Sequence, residues 1–294
     1  MNFSKFKAGT DKQQYQYKSF SPEKINTTWI WDDPILNVLM EKGTRKLGEL
    51  NAFTLIVPNI DLFIQMHIIK EANTSSKIEG TQTNIDEAQL PEEEIALEKR
   101  DDWQEVQDYI NAMNYAIDKL EKLPTSNRLL NKTHEILMKG VRGEHQSPGD
   151  FRTSQNWIDG SSFFEKHRSS YYDALSIVRE ANDISHWVKF FLNAVIDTAE
   201  DGKKTFILIL ELKKETDSFL FSLGGRAGNA NKILELFYQK PALNVKEIEK
   251  ALSMNQRTIR NVLNTLEKEN FIVEYTGNKR NKKYIFQRYL KLFY

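Results

Sequence analysis

Five polar side chains near the C-terminus have the types and the spacing of a helix that reads nucleic-acid bases. They are Gln256, Arg257, Arg260, Asn261 and Asn264. Intervals of three and four residues place such side chains on one face of a helix. Glutamine, arginine and asparagine can form paired hydrogen bonds to base edges in the major groove. The pattern therefore predicts a recognition helix for duplex DNA.

A run of basic residues follows this helix. Residues 278–283 read Asn-Lys-Arg-Asn-Lys-Lys, and a charged tip of this kind suits contacts to phosphates or to the minor groove. We expect those contacts from Lys279, Arg280, Lys282 and Lys283.

The elements around these residues follow the order of a winged helix-turn-helix. Helical patterns cover 229–239, 244–252 and 256–269, and Ile259, Val262, Leu263 and Leu266 supply the buried side of the third. Two apolar extended runs, 271–275 and 284–286, flank the turn 276–278 and predict a hairpin. Small winged helices also serve as protein-interaction or dimerisation modules, and that alternative stays open.

The charge distribution separates this segment from the rest of the chain. From Arg226 to the end, 14 Lys and Arg face 6 Asp and Glu, although the whole chain holds 41 of each. A basic C-terminal module on an acidic body indicates two roles, and the basic module suits a polyanionic partner.

Other site chemistries find little support in the 294 residues. The chain has no cysteine, which excludes disulfides and thiol nucleophiles and fits a reducing cytoplasm. The five histidines lack metal-ligand spacing, so no metal site is predicted. We expect no signal peptide, no membrane span and a cytoplasmic protein.

The remaining chain is mainly helical by its apolar periodicity. The clearest pattern covers 102–123, where Trp103, Val106, Ile110, Met113, Ile117 and Leu120 form one stripe. Residues 1–28 predict an arm or an edge strand, and Asn73-Thr74-Ser75-Ser76 predicts an interruption between two helices. The segment 224–228, rich in glycine, predicts a linker.

Three segments in a fixed order resemble the Fic family of protein adenylyltransferases. Residues 75–80 read Ser-Ser-Lys-Ile-Glu-Gly, which is similar to the Ser-x-x-x-Glu-Gly motif of the family's inhibitory helix. Residues 148–152 read Pro-Gly-Asp-Phe-Arg, as in the stretch that precedes the family's active site. Residues 163–172 are similar to the segment that follows its catalytic helix.

The resemblance implies a regulatory motif at Ser75, Glu79 and Gly80. In the family, this glutamate pairs with an arginine of the catalytic loop and blocks productive binding of ATP with Mg²⁺. That loop carries the signature His-Pro-Phe-x-Asp/Glu-Gly-Asn-Gly-Arg, and no such stretch occurs in this sequence. Gly160 is joined to Phe163 by two serines alone, so the expected explanation is an internal deletion that leaves no catalytic residue.

The sequence as a whole predicts a truncated Fic-like helical body followed by a winged helix-turn-helix. We expect a Fic N-terminal-like region at 1–125, a truncated core at 126–222 and the winged helix at 226–294. The predicted function is a non-catalytic protein that binds duplex DNA and needs no cofactor. The alternatives are an ATP- and Mg²⁺-dependent protein adenylyltransferase and an interaction protein that pairs with itself or with a full-length Fic relative.

Overall fold

A computed structural model describes residues 2–15, 18–78, 83–85, 87–140, 145, 147–150, 168–278 and 281–293. The fold is mainly helical, as the periodicity predicts. The helices are α1 Pro34–Phe53, α2 Ile60–Ile78, α3 Arg100–Leu120, α4 Asn127–Leu137, α5 Arg168–Ala181, α6 Ile184–Ser222, α7 Ala227–Gln239, α8 Val245–Leu252, α9 Gln256–Lys268 and α10 Gln287–Leu290. The strands are β1 Gly9–Gln13, β2 Lys18–Pro22, β3 Ala242–Asn244, β4 Val273–Glu274 and β5 Lys283–Ile285.

The chain divides into two compact units. The first combines Met1–Pro58 with Lys166–Leu292, and the second combines Asn59–Glu165 with Phe293–Tyr294. The candidate DNA-contacting residues lie in the first unit, and the Ser-x-x-x-Glu-Gly motif lies in the second.

Helices α1 and α6 pack against each other in the first unit. Asp33 caps α1 by accepting a hydrogen bond from the Ile35 amide at 2.9 Å, and Pro34 occupies the first turn, where its missing N–H costs nothing. The rings of Phe53 and Phe206 stack at 6.0 Å between α1 and α6. The predicted N-terminal arm is the antiparallel hairpin β1–β2.

The winged helix is built on α7, α8, α9 and a three-stranded sheet. The strand order is β3-β5-β4, with both pairs antiparallel. The three predicted helices are all present, whereas the short strand β3 and the helix α10 were not predicted. The core of the winged-helix domain consists of fully buried apolar side chains: Ile233, Phe237, Ile248, Ile259, Leu263, Leu266 and Phe286.

Three contacts attach this domain to the C-terminal half of α6. The guanidinium of Arg288 donates two hydrogen bonds to the Glu215 carboxylate, at 2.7 and 2.5 Å. Beside this pair, Phe219 packs on Phe271 at 5.0 Å between ring centroids. The buried Thr216 hydroxyl lies 3.2 Å from the Tyr238 hydroxyl, and burial raises the pKa of Tyr238 to about 12. Because bidentate pairs constrain geometry, the domain sits in a defined position on α6.

The predicted linker at 224–228 is wrong as a flexible segment. Gly224–Arg226 forms a single 3-10 turn, and α7 begins at Ala227, so Gly228 is already helical. Gly224 has φ +55°, a conformation that glycine adopts without steric cost. The glycines therefore make a tight corner between α6 and α7.

The second unit packs α2 and α4 against α3. The predicted stripe of α3 buries Val106 and Ile110 against Ile68 and Ala72 of α2. At the C-terminal end of α3, Ile117 and Leu120 are exposed. The stripe thus identifies the helix correctly, and its residues from Val106 to Met113 pack in or against this core.

The predicted interruption at 73–76 is also wrong. Helix α2 continues through it to Ile78 because its polar side chains find partners that leave the backbone helical. The buried Asn73 side chain donates to the Thr83 carbonyl at 2.6 Å, and Ser75 donates to the Glu71 carboxylate at 3.2 Å. Bonds away from the local backbone remove the competition that usually breaks a helix at such residues.

Truncation of Phe237 tests the winged-helix core. Phe237→Ala removes a fully buried ring, and we expect a loss of about 3–5 kcal/mol in the free energy of local unfolding. Hydrogen exchange of peptides from α7, measured in the full chain, reports this loss.

Phe221→Ala is the matched control, because Phe221 is 89% exposed. The same truncation there is expected to change stability by no more than about 0.5 kcal/mol. Equal effects of the two substitutions would contradict the assigned core.

Candidate nucleic-acid interface

The turn between α8 and α9 sets the direction of α9 relative to α8. Ser253 adopts the left-handed conformation with φ 49°, and Asn255 caps α9 by accepting from the Arg257 amide at 2.8 Å. A side chain at the N-cap supplies an acceptor for an otherwise unpaired helix N–H. The turn therefore fixes the first residues of α9, where the candidate side chains begin.

A capping box holds the N-terminus of α8. The Asn244 side chain accepts from the Glu247 amide at 3.0 Å, and the Glu247 carboxylate accepts from the Asn244 amide at 2.8 Å. This reciprocal pair satisfies two backbone donors at once. Since Asn244 is also the last residue of β3, the box joins the sheet to the helix-turn-helix.

The two faces of α9 have opposite chemistry. Ile259, Leu263 and Leu266 are fully buried. Four predicted site residues on the same helix are exposed: Arg257, Arg260, Asn261 and Asn264. Packing of the apolar face thus presents these polar side chains to solvent together.

A groove of about 560 Å³ runs between α9, the start of α8 and the β4–β5 hairpin. Its lining is polar and basic: Asn244, Val245, Lys246, Gln256, Arg260, Asn264, Asn281, Lys282 and Tyr284. The structure thereby brings together Gln256, Arg260, Asn264 and Lys282, which the sequence singled out. It adds Asn244, Lys246 and Asn281 to the candidate site. In the sequence, Asn244 and Lys246 only mark the start of a helix, and Asn281 is only a position within the basic run.

Asn261 lies toward the other flank of α9. It lines a second depression of about 460 Å³ with Arg226 and Asn229 of the α6–α7 corner. Asn264 lines both depressions. The predicted face is therefore split, with Arg260 on the hairpin side and Asn261 on the α7 side.

The hairpin is shaped by a carboxylate at its turn. Glu274 accepts from the amides of Thr276 at 2.9 Å and Gly277 at 3.2 Å, and its bonds to Thr276 hold the pKa of this carboxyl below its ordinary value. Lys282 is exposed, whereas Lys283 is half-buried in β5, paired with Asn244 of β3. Lys279 and Arg280 lie outside the described residues.

Gln256 differs from the other predicted readers because its amide already has protein partners at both ends. Its Nε2 donates to Glu249 of α8 at 2.6 Å, and its Oε1 accepts from the Arg260 guanidinium at 3.3 Å. The sequence did not single out Glu249, since nothing in the spacing places it opposite Gln256 across the turn.

The motif predicted to be regulatory is only partly described. Ser75 lies in the last turns of α2, while Glu79 and Gly80 lie outside the described residues. The segment 148–152 is described as far as Asp150, and there the Gly149 amide donates to His134 Nδ1 at 2.9 Å. Gly149 has φ +87°, and an added Cβ would lie 2.9 Å from the Asn131 carbonyl, so the position requires glycine.

The described residues offer neither a metal site nor a membrane-spanning helix. Those residues hold no group of three or more His, Asp or Glu side chains arranged for a metal ion. None of the helices that the structure describes combines the length and apolar character of a membrane-spanning segment.

Two segments of the chain match known protein families. The Fic/DOC family N-terminal region matches residues 38–118, and the MarR family matches residues 230–282. The chain is thus a helical protein that joins a Fic/DOC family N-terminal region to a MarR-family winged helix.

Curated protein sequences include no match to the chain. Among solved structures, the chain is similar to the crystal structure of a Fic family protein from Desulfovibrio desulfuricans G20 at 2.70 Å resolution. The identity is 13%, the TM-score is 0.35, and the match covers 90% of this chain and 98% of that one.

Removal of the Asn73 side chain tests what keeps α2 helical before the motif. Asn73→Ala leaves the buried Thr83 carbonyl without its donor, and we expect a loss of about 1–3 kcal/mol. Faster hydrogen exchange in peptides from α2 would report it.

Asn193→Ala is the control, because this exposed side chain bonds to the Lys189 carbonyl of its own helix. Both substitutions gain the same helix propensity, so the difference isolates the buried bond. Unchanged exchange in the Asn73 variant would show that the bond adds nothing to the stability of α2.

Proposed function

We propose that this chain binds duplex DNA through α9 and the β4–β5 hairpin of its MarR-family winged helix. The observation that carries the proposal is the exposed face of α9, where Arg257, Arg260 and Asn264 lie together. The buried opposite face holds this arrangement in place. Arginine and asparagine on a helix of this class suit base edges in a major groove.

The charges around α9 support the same partner. Lys246 and Lys282 line the groove beside Arg260, so the described lining carries three cations and no carboxylate. Cations near a recognition helix position a protein on the phosphate backbone. Part of the C-terminal excess of basic residues therefore lies around α9.

The proposal includes a second part, which is that the chain does not transfer adenylyl groups. The full sequence contains no His-Pro-Phe-x-Asp/Glu-Gly-Asn-Gly-Arg stretch. In the resembling family, this stretch supplies a general base and an anion-binding loop, which such a transfer needs. An internal deletion between Gly160 and Phe163 remains our explanation, and residues 151–167 lie outside the described part of the chain.

DNA binding is tested with the double variant Arg257→Ala plus Arg260→Ala. Loss of both side chains is expected to cost about 2 kcal/mol or more, which is roughly a 30-fold loss of affinity at low salt. The slope of log K against log salt should change little, because the slope counts phosphate contacts, whereas these two side chains are proposed to contact base edges. Fluorescence anisotropy with labelled duplexes at several salt concentrations measures both quantities.

Lys214→Ala plus Lys232→Ala is the charge-matched control. Both lysines are exposed, on α6 and α7, and neither lines the groove. We expect wild-type affinity and slope from this variant. Equal losses of affinity in the two double variants would show that binding depends on net charge alone and not on the groove. Absence of duplex binding by the wild type at low salt would contradict the proposal.

The second part is tested with labelled ATP and Mg²⁺. In the resembling family, loss of the inhibitory glutamate releases activity, so the assay uses Glu79→Gly as well as wild type. We expect no labelling of protein substrates by either form. Labelling by Glu79→Gly above the wild-type level would favour the adenylyltransferase alternative.

A further inference from the structure

Two hydrogen bonds connect α8 to the exposed arginine of α9. Gln256 Nε2 donates to Glu249 Oε2 at 2.6 Å, and one terminal nitrogen of the Arg260 guanidinium donates to Gln256 Oε1 at 3.3 Å. Glu249 and Gln256 are half-buried, while Arg260 is exposed. These two hydrogen bonds form a relay from the half-buried Glu249 carboxylate, through Gln256, to the exposed Arg260 side chain.

The carboxylate determines the orientation of the glutamine amide. An ionised carboxylate only accepts hydrogen bonds, so Gln256 must turn its nitrogen toward Glu249. The amide oxygen then points away from α8, toward the next turn of α9. Because Arg260 follows Gln256 by four residues, its side chain meets that oxygen on the same helix face.

The amide orients Arg260 without neutralising it. A direct contact with a carboxylate would occupy the guanidinium in a charge-paired, bidentate bond. The neutral amide oxygen instead accepts one of its five N–H donors and leaves the positive charge available. Held in this way, the planar fork loses little further freedom when it binds a second partner.

Within the described lining of the groove, no carboxylate serves as that second partner of Arg260. That lining contains no aspartate or glutamate, and Asn264, Lys246 and Lys282 accompany Arg260 there. Guanine presents two neighbouring acceptors, N7 and O6, in the major groove, and a guanidinium binds both at once. An oriented, uncompensated arginine on a recognition helix matches this base better than any other.

We propose that Glu249 and Gln256 are positioning residues that orient Arg260 to read a guanine in the major groove. The inference rests on the proposed DNA-binding function and deepens it. It also changes the role of Gln256, which the sequence suggests as a base reader, to that of a support for Arg260.

The test is selection of binding sites from a pool of randomised duplexes by the full chain. Wild type should enrich a guanine at a position where Arg260→Ala abolishes the preference. A bidentate contact corresponds to a discrimination of roughly 5- to 150-fold against other bases. We expect Glu249→Leu to lose this preference and to retain affinity for random duplex, since Glu249 does not line the groove. Gln256→Ala should lose the preference as well.

Glu249→Gln is the matched control, because it removes the charge and keeps an acceptor oxygen for Gln256. Retained guanine preference in this variant, together with loss in Glu249→Leu, identifies the hydrogen bond as the cause. A purely electrostatic role of Glu249 would make both variants behave alike and would overturn the inference. Gln256→Ala breaks the same relay at a half-exposed site. If Glu249→Leu does not fold, the guanine preference of Gln256→Ala tests the inference instead.

The outcomes separate this inference from the function on which it rests. If wild type binds duplex and Glu249→Leu and Gln256→Ala keep the wild-type guanine preference, the inference fails and DNA binding stands. The inference also fails, and DNA binding stands, if the selected sites show no guanine preference that depends on Arg260. If wild type binds no duplex at low salt, the proposed function itself fails.

Discussion

Burial of one face of α9 is the constraint on which the candidate site depends. Ile259, Leu263 and Leu266 are fully enclosed by the winged-helix core, so α9 cannot rotate without exposing them. Burial of each such side chain is worth about 1.5–3 kcal/mol, which is more than any single surface hydrogen bond contributes. Apolar packing therefore determines which polar side chains face solvent, although it makes no contact with a ligand itself.

The contacts with α6 extend this constraint beyond the domain. The Arg288–Glu215 pair, the Phe219–Phe271 contact and the buried Thr216–Tyr238 hydrogen bond attach the winged helix to one end of a helix that also packs along α1. A partly exposed ion pair adds little stability alone, but its fork geometry is specific. Together, these contacts make the domain part of the first compact unit.

The two halves of the chain pose different functional questions. The winged-helix domain, which matches the MarR family over residues 230–282, has the described elements that its proposed role requires: a packed helix, an exposed polar face and a basic groove. The Fic/DOC half contains the helix that carries Ser75, yet the sequence lacks the loop on which the family's glutamate acts. The sequence resembles the family's inhibitory motif without its signature stretch, and this combination is the reason that we propose binding rather than chemistry.

Periodicity alone determined the helices whose apolar stripes are long and regular. Helices α3 and α9 follow from spacing because a 3.6-residue repeat leaves few other structures possible. Residue type alone also identified Arg257, Arg260, Asn261, Asn264 and Lys282 as exposed polar candidates around α9.

Tertiary contacts decided the features that residue type predicted wrongly or missed. Asn73 suits a helix break locally, but a buried carbonyl ten residues away gives its side chain a better partner. The glycines after α6 suit a linker, but they form a single 3-10 turn that joins α6 directly to α7. Gln256 suits a base reader until Glu249 is placed opposite it across the turn. A linear pattern cannot specify such partners, because pairing between elements depends on the path of the chain in space.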